Sequence, residues 1–224
     1  MMQFRLHDDA GARDVKVPVS VIVIVGWSGR DRTAVDAHIR ELEQIGVAPP
    51  SQTPLYYRVG ASLATQDERI QVLGEGSSGE AEAVLIGSAA YGMLVAIGSD
   101  HTDRAFEAQS VAISKQMCPK PLGRDVWRYA DIAERWDTLR LESDMDGEPY
   151  QRGTMAAVQD PIALVADYFQ GYKAVPPEFA MFLGTVPALG GVCAGKTFSA
   201  RLADDKTGRA LTLDYETVTL PIVS

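Results

Sequence analysis

The chain has 224 residues, 46% of them hydrophobic, which suffices for a sizeable core. Its formal net charge is −9, and it has no lysine or arginine cluster of the kind that neutralises a phosphate backbone, so nucleic acid is not an expected partner. Two cysteines, Cys118 and Cys193, provide no disulfide framework, and the longest apolar run, Val17 to Val25, is broken by Pro18 and Ser20 and is too short to cross a bilayer.

In chain order, Gln3 to His7 reads as a first strand, 8–13 as a turn and Val15 to Val25 as one β-branched strand. The charges in the first fourteen residues occupy the place of a signal-peptide apolar region, so a cytoplasmic, reduced setting is expected. Gly26 to Asp31 is a loop. Thr33 is the expected cap of a helix over Ala34 to Gln44, whose apolar positions Val35, Ile39 and Leu42 follow helical spacing and which Gly46 would stop. A Pro-rich connector, 48–54, leads to short strands at Leu55 to Val59 and Ile70 to Leu73, and 74–79 is a Gly/Ser loop.

The stretch Ser78 to Arg104 then reads as two apolar strands folded back around Gly87 to Gly92, with acidic residues at one end. Residues two apart on a strand share a face, so Glu80 and Glu82 point together, with Ala81 and Ala83 opposite. Asp100, closing the second strand, can return to the same end. Converging carboxylates repel one another unless neutralised, and a hard divalent cation neutralises them with oxygen ligands. On spacing alone the simpler reading is that both glutamates lie on the wet face of an antiparallel strand.

Farther on, Ala105 to Gln116 reads as a helix, Cys118 to Gly123 as irregular, Val126 to Trp136 as a short helix and Leu139 to Asp144 as a strand before an Asp146-Gly147 hairpin turn. Pro161 to Phe169 is a helix capped by Asp160, and Phe179 to Leu183 a buried strand. Thr185 to Gly195 is a Gly-rich loop. Lys196 to Leu202, Leu211 to Tyr215 and Thr217 to Val223 are strands.

Several residues could carry chemistry. His38 and Glu41 lie three apart on a helix and so share a face; a carboxylate beside an imidazole can make it a general base, although on spacing alone an exposed i,i+3 pair is the simpler reading. Gly98-Ser-Asp-His-Thr-Asp-Arg104 packs four ionisable groups into a strand-end loop, a usual place for binding groups. Lys115 could hold a carboxylate or oxyanion, or be a solvated surface lysine. The loop around Thr185 offers backbone N–H groups and a hydroxyl, but it has no nucleotide-binding glycine pattern.

In order along the chain these pieces resemble the fumarylacetoacetate hydrolase superfamily. Gly29-Arg30 leading to His38-Ile-Arg-Glu41 resembles its G-R-N-Y-x-x-H-x-x-E segment, and Pro54-Leu-Tyr-Tyr57-Arg58 its P-x-x-F-x-K-P, with Arg58 in place of lysine. Glu80-Ala-Glu82 matches the family's E-x-E, and Asp100-His-Thr-Asp-Arg104 its N-D-x-x-x-R-D. Lys115-Gln-Met-Cys-Pro119, Tyr150-Gln151-Arg-Gly153-Thr154 and Leu183-Gly184-Thr185-Val-Pro187 resemble the later segments. The resemblance is closest to a bacterial subgroup known as a domain of unknown function.

The resemblance implies an α+β, mainly β fold: a mixed β-sandwich roll with a few short helices. It implies one catalytic domain over 1–224, with about 1–55 a smaller part packed on the roll, usually as a homodimer. It implies Mg²⁺ or Mn²⁺, with Ca²⁺ as a further option, held by Glu80, Glu82 and Asp100. The implied reaction is hydrolytic cleavage of a C–C bond in a small anionic 1,3-diketo or oxo-carboxylic acid. The metal would bind the substrate's carboxylate and 2-oxo group, and His38, oriented by Glu41, would deprotonate a water. Lys115 and Arg104 would hold the substrate carboxylate or the oxyanion. Thr185, Gly184, Arg58 and Gln151 would complete the substrate site. Decarboxylase, isomerase or hydratase chemistry on similar oxo acids is the alternative within the superfamily, and a non-catalytic small-molecule-binding protein the alternative outside enzymes. His101, Glu107 and a short interval between Glu82 and Asp100 depart from the family pattern.

Overall fold

The structure, a computed structural model, describes residues 1–8, 11–44, 48–170 and 176–223, without the side chains of residues 38, 41 and 42. Strands dominate it. An eight-stranded sheet runs in the order Gly11–Val17, Met2–Asp8, Asp125–Arg128, Gly92–Ser99, Ala81–Ser88, Phe179–Phe182, Val21–Gly26 and Leu55–Val59. A five-stranded sheet runs Glu148–Thr154, Arg140–Met145, Thr197–Asp204, Arg209–Leu220 and Arg69–Leu73. Most neighbours are antiparallel. Met2–Asp8 with Asp125–Arg128, Phe179–Phe182 with Val21–Gly26, and Arg209–Leu220 with Arg69–Leu73 are parallel. This is the mainly β, α+β architecture expected.

The central strands are apolar on both faces because both faces are covered. Ala81, Ala83 and Leu85 point into a core shared with the five-stranded sheet, against Leu141, Leu202 and Leu211. The alternate residues Val84 and Ile86 join a second cluster with Phe4, Leu6, Ile22 and Phe182. That cluster is drawn from the strands of the one sheet, together with Leu122. The sheet therefore curls around it, and the eight strands form a roll. Burial on both faces is what erases the polar–apolar alternation of an ordinary antiparallel strand.

Several local expectations change, each for a tertiary or capping reason. Val15 to Val25 is two strands, Gly11–Val17 and Val21–Gly26, and residues 11–13 already pair with Met2–Asp8. Within residues 1–55, the strands Met2–Asp8, Gly11–Val17 and Val21–Gly26 are members of the eight-stranded sheet, whose two edges are Gly11–Val17 and Leu55–Val59. The Arg32–Gln44 helix is capped by Asp31, not Thr33; Asp31 Oδ1 accepts from the amides of Thr33 and Ala34 at 2.9 and 3.2 Å. Gly46 lies outside the described residues. Ala105 to Gln116 is two short helices, Arg104–Glu107 capped by Asp103 and Val111–Gln116 capped by Ser110. In place of a helix, Asp125–Arg128 is a strand, held between Met2–Asp8 and Gly92–Ser99, and 3₁₀ turns follow it. Lys120–Pro121, expected to be irregular, bridges to Ala64–Thr65. Leu211 to Val223 contributes one strand, Arg209–Leu220, because its first part pairs with Thr197–Asp204 and its last with Arg69–Leu73. No helix among the described residues is long and apolar enough to cross a membrane.

Candidate metal centre

The hairpin register brings the acids together. Ala81 pairs with Ser99 and Glu82 with Gly98, and the Asp100 amide donates to the Glu80 carbonyl at 3.0 Å. Glu80 and Asp100 therefore face each other across the end of the hairpin. Gly98, on the same face as Glu82, leaves no room for a larger side chain: a Cβ there would sit 2.7 Å from both Phe182 and Val84. The result is that one oxygen from each of Glu80, Glu82 and Asp100 lies within 4.8 Å of the others. Glu82 and Asp100 are buried, and Glu80 is about one-fifth exposed, with its side chain at 21%.

Each carboxylate also has an oxygen held by the protein. The Gly184 amide donates to Glu82 Oε2 at 2.7 Å. Gly184 adopts φ +97°, and a Cβ there would lie 1.9 Å from Ser28 Oγ, so only glycine can present this amide. Arg104 Nη2 lies 3.1 Å from Glu80 Oε2, and Lys115 Nζ donates to Asp100 Oδ2. A second lysine, Lys120, is fully buried; its Nζ donates to the His101 carbonyl and stands 3.3 Å from Asp100 Oδ1. It is out of line for a hydrogen bond there, so Asp100 Oδ1 is buried without an aligned donor.

The short helix Val111–Gln116 is inverted relative to ordinary burial. Lys115 is buried while Ile113 is 55% exposed. A lysine goes inside only with a partner, and Asp100 is that partner. Burial opposes the Lys115 charge, yet the Asp100 and Glu80 carboxylates hold its pKa above the ordinary lysine value. Burial would also raise Asp100, but Lys115 and Lys120 outweigh it and hold the carboxyl at about 2. At Glu82 the pull of Lys115 is weaker than the two opposing effects. Burial first, and then the Asp100 charge, push its carboxyl well above the ordinary value. Burial lowers Lys120.

This donor set fits a hard divalent cation. It offers three carboxylates, a buried oxygen with no aligned donor, and one carboxyl whose ionisation is opposed by burial and a neighbouring charge, and which added positive charge would favour.

The other sequence-derived residues divide. Lys115, Arg104 and Gly184 join the cluster. Arg104 donates Nε to Ser78 Oγ at 2.8 Å and Nη1 to Glu107 at 2.9 Å, while its Nη2 stands 3.1 Å from Glu80 Oε2 without an aligned acceptor. It is paired with the Glu80 carboxylate. The Thr185 hydroxyl is also engaged, donating to the Ala81 carbonyl at 2.6 Å and accepting from Gln151 Nε2 at 2.6 Å. Gln151 is buried, and its amide is satisfied by Ala81 N, Ser143 Oγ, Thr185 Oγ1 and the Val186 carbonyl. It ties the loop to the hairpin. Arg58 is exposed and donates to Tyr168 Oη at 3.1 Å. Its strand neighbour Tyr57 faces the site, with its ring 5.8 Å from Lys115 Nζ. Strand alternation within Leu55–Val59 carried that signal, and Lys120 was visible only as one residue of a Pro-rich loop. The side chains of His38 and Glu41 lie outside the described residues.

One family model, described as "Protein of unknown function (DUF2848)", matches residues 25–215. The chain belongs to the DUF2848 family. Among curated proteins none matches it. Solved structures show which fold this DUF2848 chain has. An Oleispira antarctica protein, provisionally described as a fumarylacetoacetate isomerase/hydrolase, matches with a TM-score of 0.70 at 20% identity, over 97% of this chain and 100% of that one. Fumarylpyruvate hydrolase from Pseudomonas aeruginosa, solved with Mn²⁺ and pyruvate, matches with a TM-score of 0.63 at 17% identity, over 97% of each chain. A 2-hydroxyhepta-2,4-diene-1,7-dioate isomerase from Mycobacterium marinum matches with 0.63 at 16%, over 94% of this chain and 79% of that one. The DUF2848 chain thus has the fumarylacetoacetate hydrolase fold, as the sequence motifs implied.

Proposed function

We propose that the protein is a divalent-metal-dependent hydrolase that cleaves a C–C bond in a small 1,3-diketo or oxo-carboxylic acid, with Mg²⁺ or Mn²⁺ held by Glu80, Glu82 and Asp100. The observation that carries this reading is the buried convergence of those carboxylates within 4.8 Å, with Asp100 Oδ1 lacking an aligned donor. The Mn²⁺ and pyruvate in the fumarylpyruvate hydrolase of the same fold support the same ligand chemistry. When bound, the ion supplies Lewis-acid polarisation of the substrate oxo group.

The chain's own residues do the rest. Gly184 N–H and Arg104 orient Glu82 and Glu80 through one oxygen each. Lys115 keeps Asp100 ionised and lies beside Tyr57, where its ammonium can also meet an anionic substrate group. His38, oriented by Glu41, is proposed as the base that deprotonates the attacking water. The charge of the cluster suits an anion: adding two positive charges to Glu80, Glu82, Asp100 and Glu107 with Lys115, Lys120 and Arg104 leaves an excess of positive charge.

The test is metal-dependent loss of diketo absorbance on a panel of acylpyruvates, with Glu80→Ala and His38→Ala as variants. Both should lose turnover, by about a hundredfold or more for the proposed base. Turnover that survives both substitutions rejects the mechanism. A second reading, isomerase or decarboxylase chemistry on a related oxo acid, is favoured by one observation: a diene-dioate isomerase shares the fold to the same degree as the hydrolase. Full turnover in His38→Ala, with none in Glu82→Ala, selects it.

A further inference from the structure

Beneath the carboxylates runs a buried chain of hydroxyl and imidazole contacts. His101 Nε2 lies 2.9 Å from Ser77 Oγ, and its Nδ1 lies 2.8 Å from Tyr215 Oη. Tyr215 Oη lies 2.9 Å from Ser99 Oγ, which accepts from the Glu80 amide at 3.3 Å. His101 and Tyr215 are also in edge contact, with ring centroids 5.7 Å apart. The chain links three separate segments: the Ser77–Ser78 strand before Glu80, the turn after Asp100, and the Arg209–Leu220 strand of the other sheet. At its centre the His101 carbonyl accepts from Lys120 Nζ, the ammonium that stands 3.3 Å from Asp100 Oδ1.

We infer that His101, with Tyr215, is a positioning residue for the metal centre: its ring pins the backbone of Glu80 and Asp100 to the opposite sheet, and so places the His101 carbonyl that holds Lys120 beside Asp100. The inference rests on the reading of Glu80, Glu82 and Asp100 as metal ligands. Three physical arguments support it. Both ring nitrogens of His101 have a partner, so the ring has one orientation. Its main-chain carbonyl holds the ammonium that stands beside Asp100, and its ring reaches the Glu80 amide through Tyr215 Oη and Ser99 Oγ. The hydroxyl of Tyr215 sits between His101 and Ser99, so its loss removes both contacts that tie these residues to the opposite sheet. A hydrophobic residue at position 101 could fill the same space, and would bury Ser77 and Tyr215 without these partners. Groups that orient ligands in this way typically govern metal affinity by about 10–100-fold.

The experiment is a titration of Mn²⁺ into the full chain, reading bound ion directly, with melting temperature measured on each variant. His101→Ala should weaken Mn²⁺ binding about tenfold or more. Tyr215→Phe, which keeps the ring in the core and removes both hydrogen bonds, should do the same and serves if His101→Ala fails to fold. Val15→Ala, a cavity in the roll away from the centre, controls for general loss of stability and should leave the affinity unchanged. A change below tenfold in the folded variants, or an equal loss in Val15→Ala, overturns the inference while the proposed function stands. If the unaltered chain binds Mn²⁺ no better than Glu82→Gln, the metal reading falls and this inference with it.

Discussion

At the scale of single residues, the centre is shaped by how unequally its three acids are compensated. Asp100 has two ammonium groups against it, while Glu82 has one amide and a like charge nearby. Glu82 is therefore the acid whose ionisation a bound cation would favour most. Its folded pKa lies well above the ordinary 4.5, so without metal it contributes stability that is fully present below that value and is lost as pH rises through the folded pKa. Metal binding needs the ionised form and releases the proton. Mn²⁺ affinity should accordingly fall by about tenfold per pH unit below the Glu82 pKa, where one proton is displaced per ion. Titrations at a series of pH values, in two buffers of different ionisation enthalpy, measure both the slope and the proton. Gly184 is the other sensitive position. Gly184→Ala forces a Cβ to within 1.9 Å of Ser28 Oγ and strains a φ of +97°. A loss of about 1–3 kcal/mol is expected from the backbone strain alone, together with weaker Mn²⁺ binding, and denaturant unfolding with parallel titration checks both.

At the scale of elements, the Ala81–Ser88 and Gly92–Ser99 hairpin is a platform, and the loop after Phe179–Phe182 closes over one end of it. Gln151 makes that closure. From the Glu148–Thr154 strand of the second sheet it donates to Thr185 and Val186 and accepts from Ala81 and Ser143. Gln151→Leu fills the same space and leaves Ala81 N and Ser143 Oγ buried without that partner, at about 1–3 kcal/mol for each such group. The expected outcome is a lower unfolding midpoint with Mn²⁺ affinity reduced less than in Glu82→Gln, because the amide that touches Glu82 belongs to Gly184. If Gln151→Leu leaves both quantities unchanged, the closure does not depend on this brace. The two short helices act in the same way as local devices: the break at 108–110, with Asp103 and Ser110 as caps, turns Lys115 inward to Asp100.

At the scale of the whole molecule, two cores divide the labour. One lies between the sheets, and the other is enclosed by the rolled eight-stranded sheet with the carboxylates at its end. Phe182 is fully buried in the second core and lies next to Gly98, opposite Glu82. Phe182→Ala should cost about 3–5 kcal/mol by leaving a cavity, measured by equilibrium unfolding, and should also loosen the floor under Glu82. Unfolding at the unaltered midpoint would mean that the roll collapses to fill the space.

Much of this was legible along the chain. The E-x-E pair follows from a period of two, Asp100 from an apolar strand of matching length, and the mainly β class from the β-branched runs bounded by Gly and Pro. The Asp160 cap and Pro161 start of the Pro161–Tyr168 helix are purely local and were readable as such. What local patterns do not encode is which face is wet. On spacing alone a solvated face was the simpler reading for Glu80 and Glu82, and only the curling of the sheet about Phe4, Leu6 and Phe182 buries both faces of their strand. The same holds for Arg104, Thr185 and Gln151, whose polar atoms suggest ligand contacts and turn out to be engaged by groups up to 104 residues away. The sequence by itself determined which residue types meet: acids, lysines, an arginine and a glycine-rich loop. Tertiary structure alone decided which of them remain available, because desolvation and hydrogen-bond partners come from segments that are distant in the chain and adjacent only after the two sheets pack.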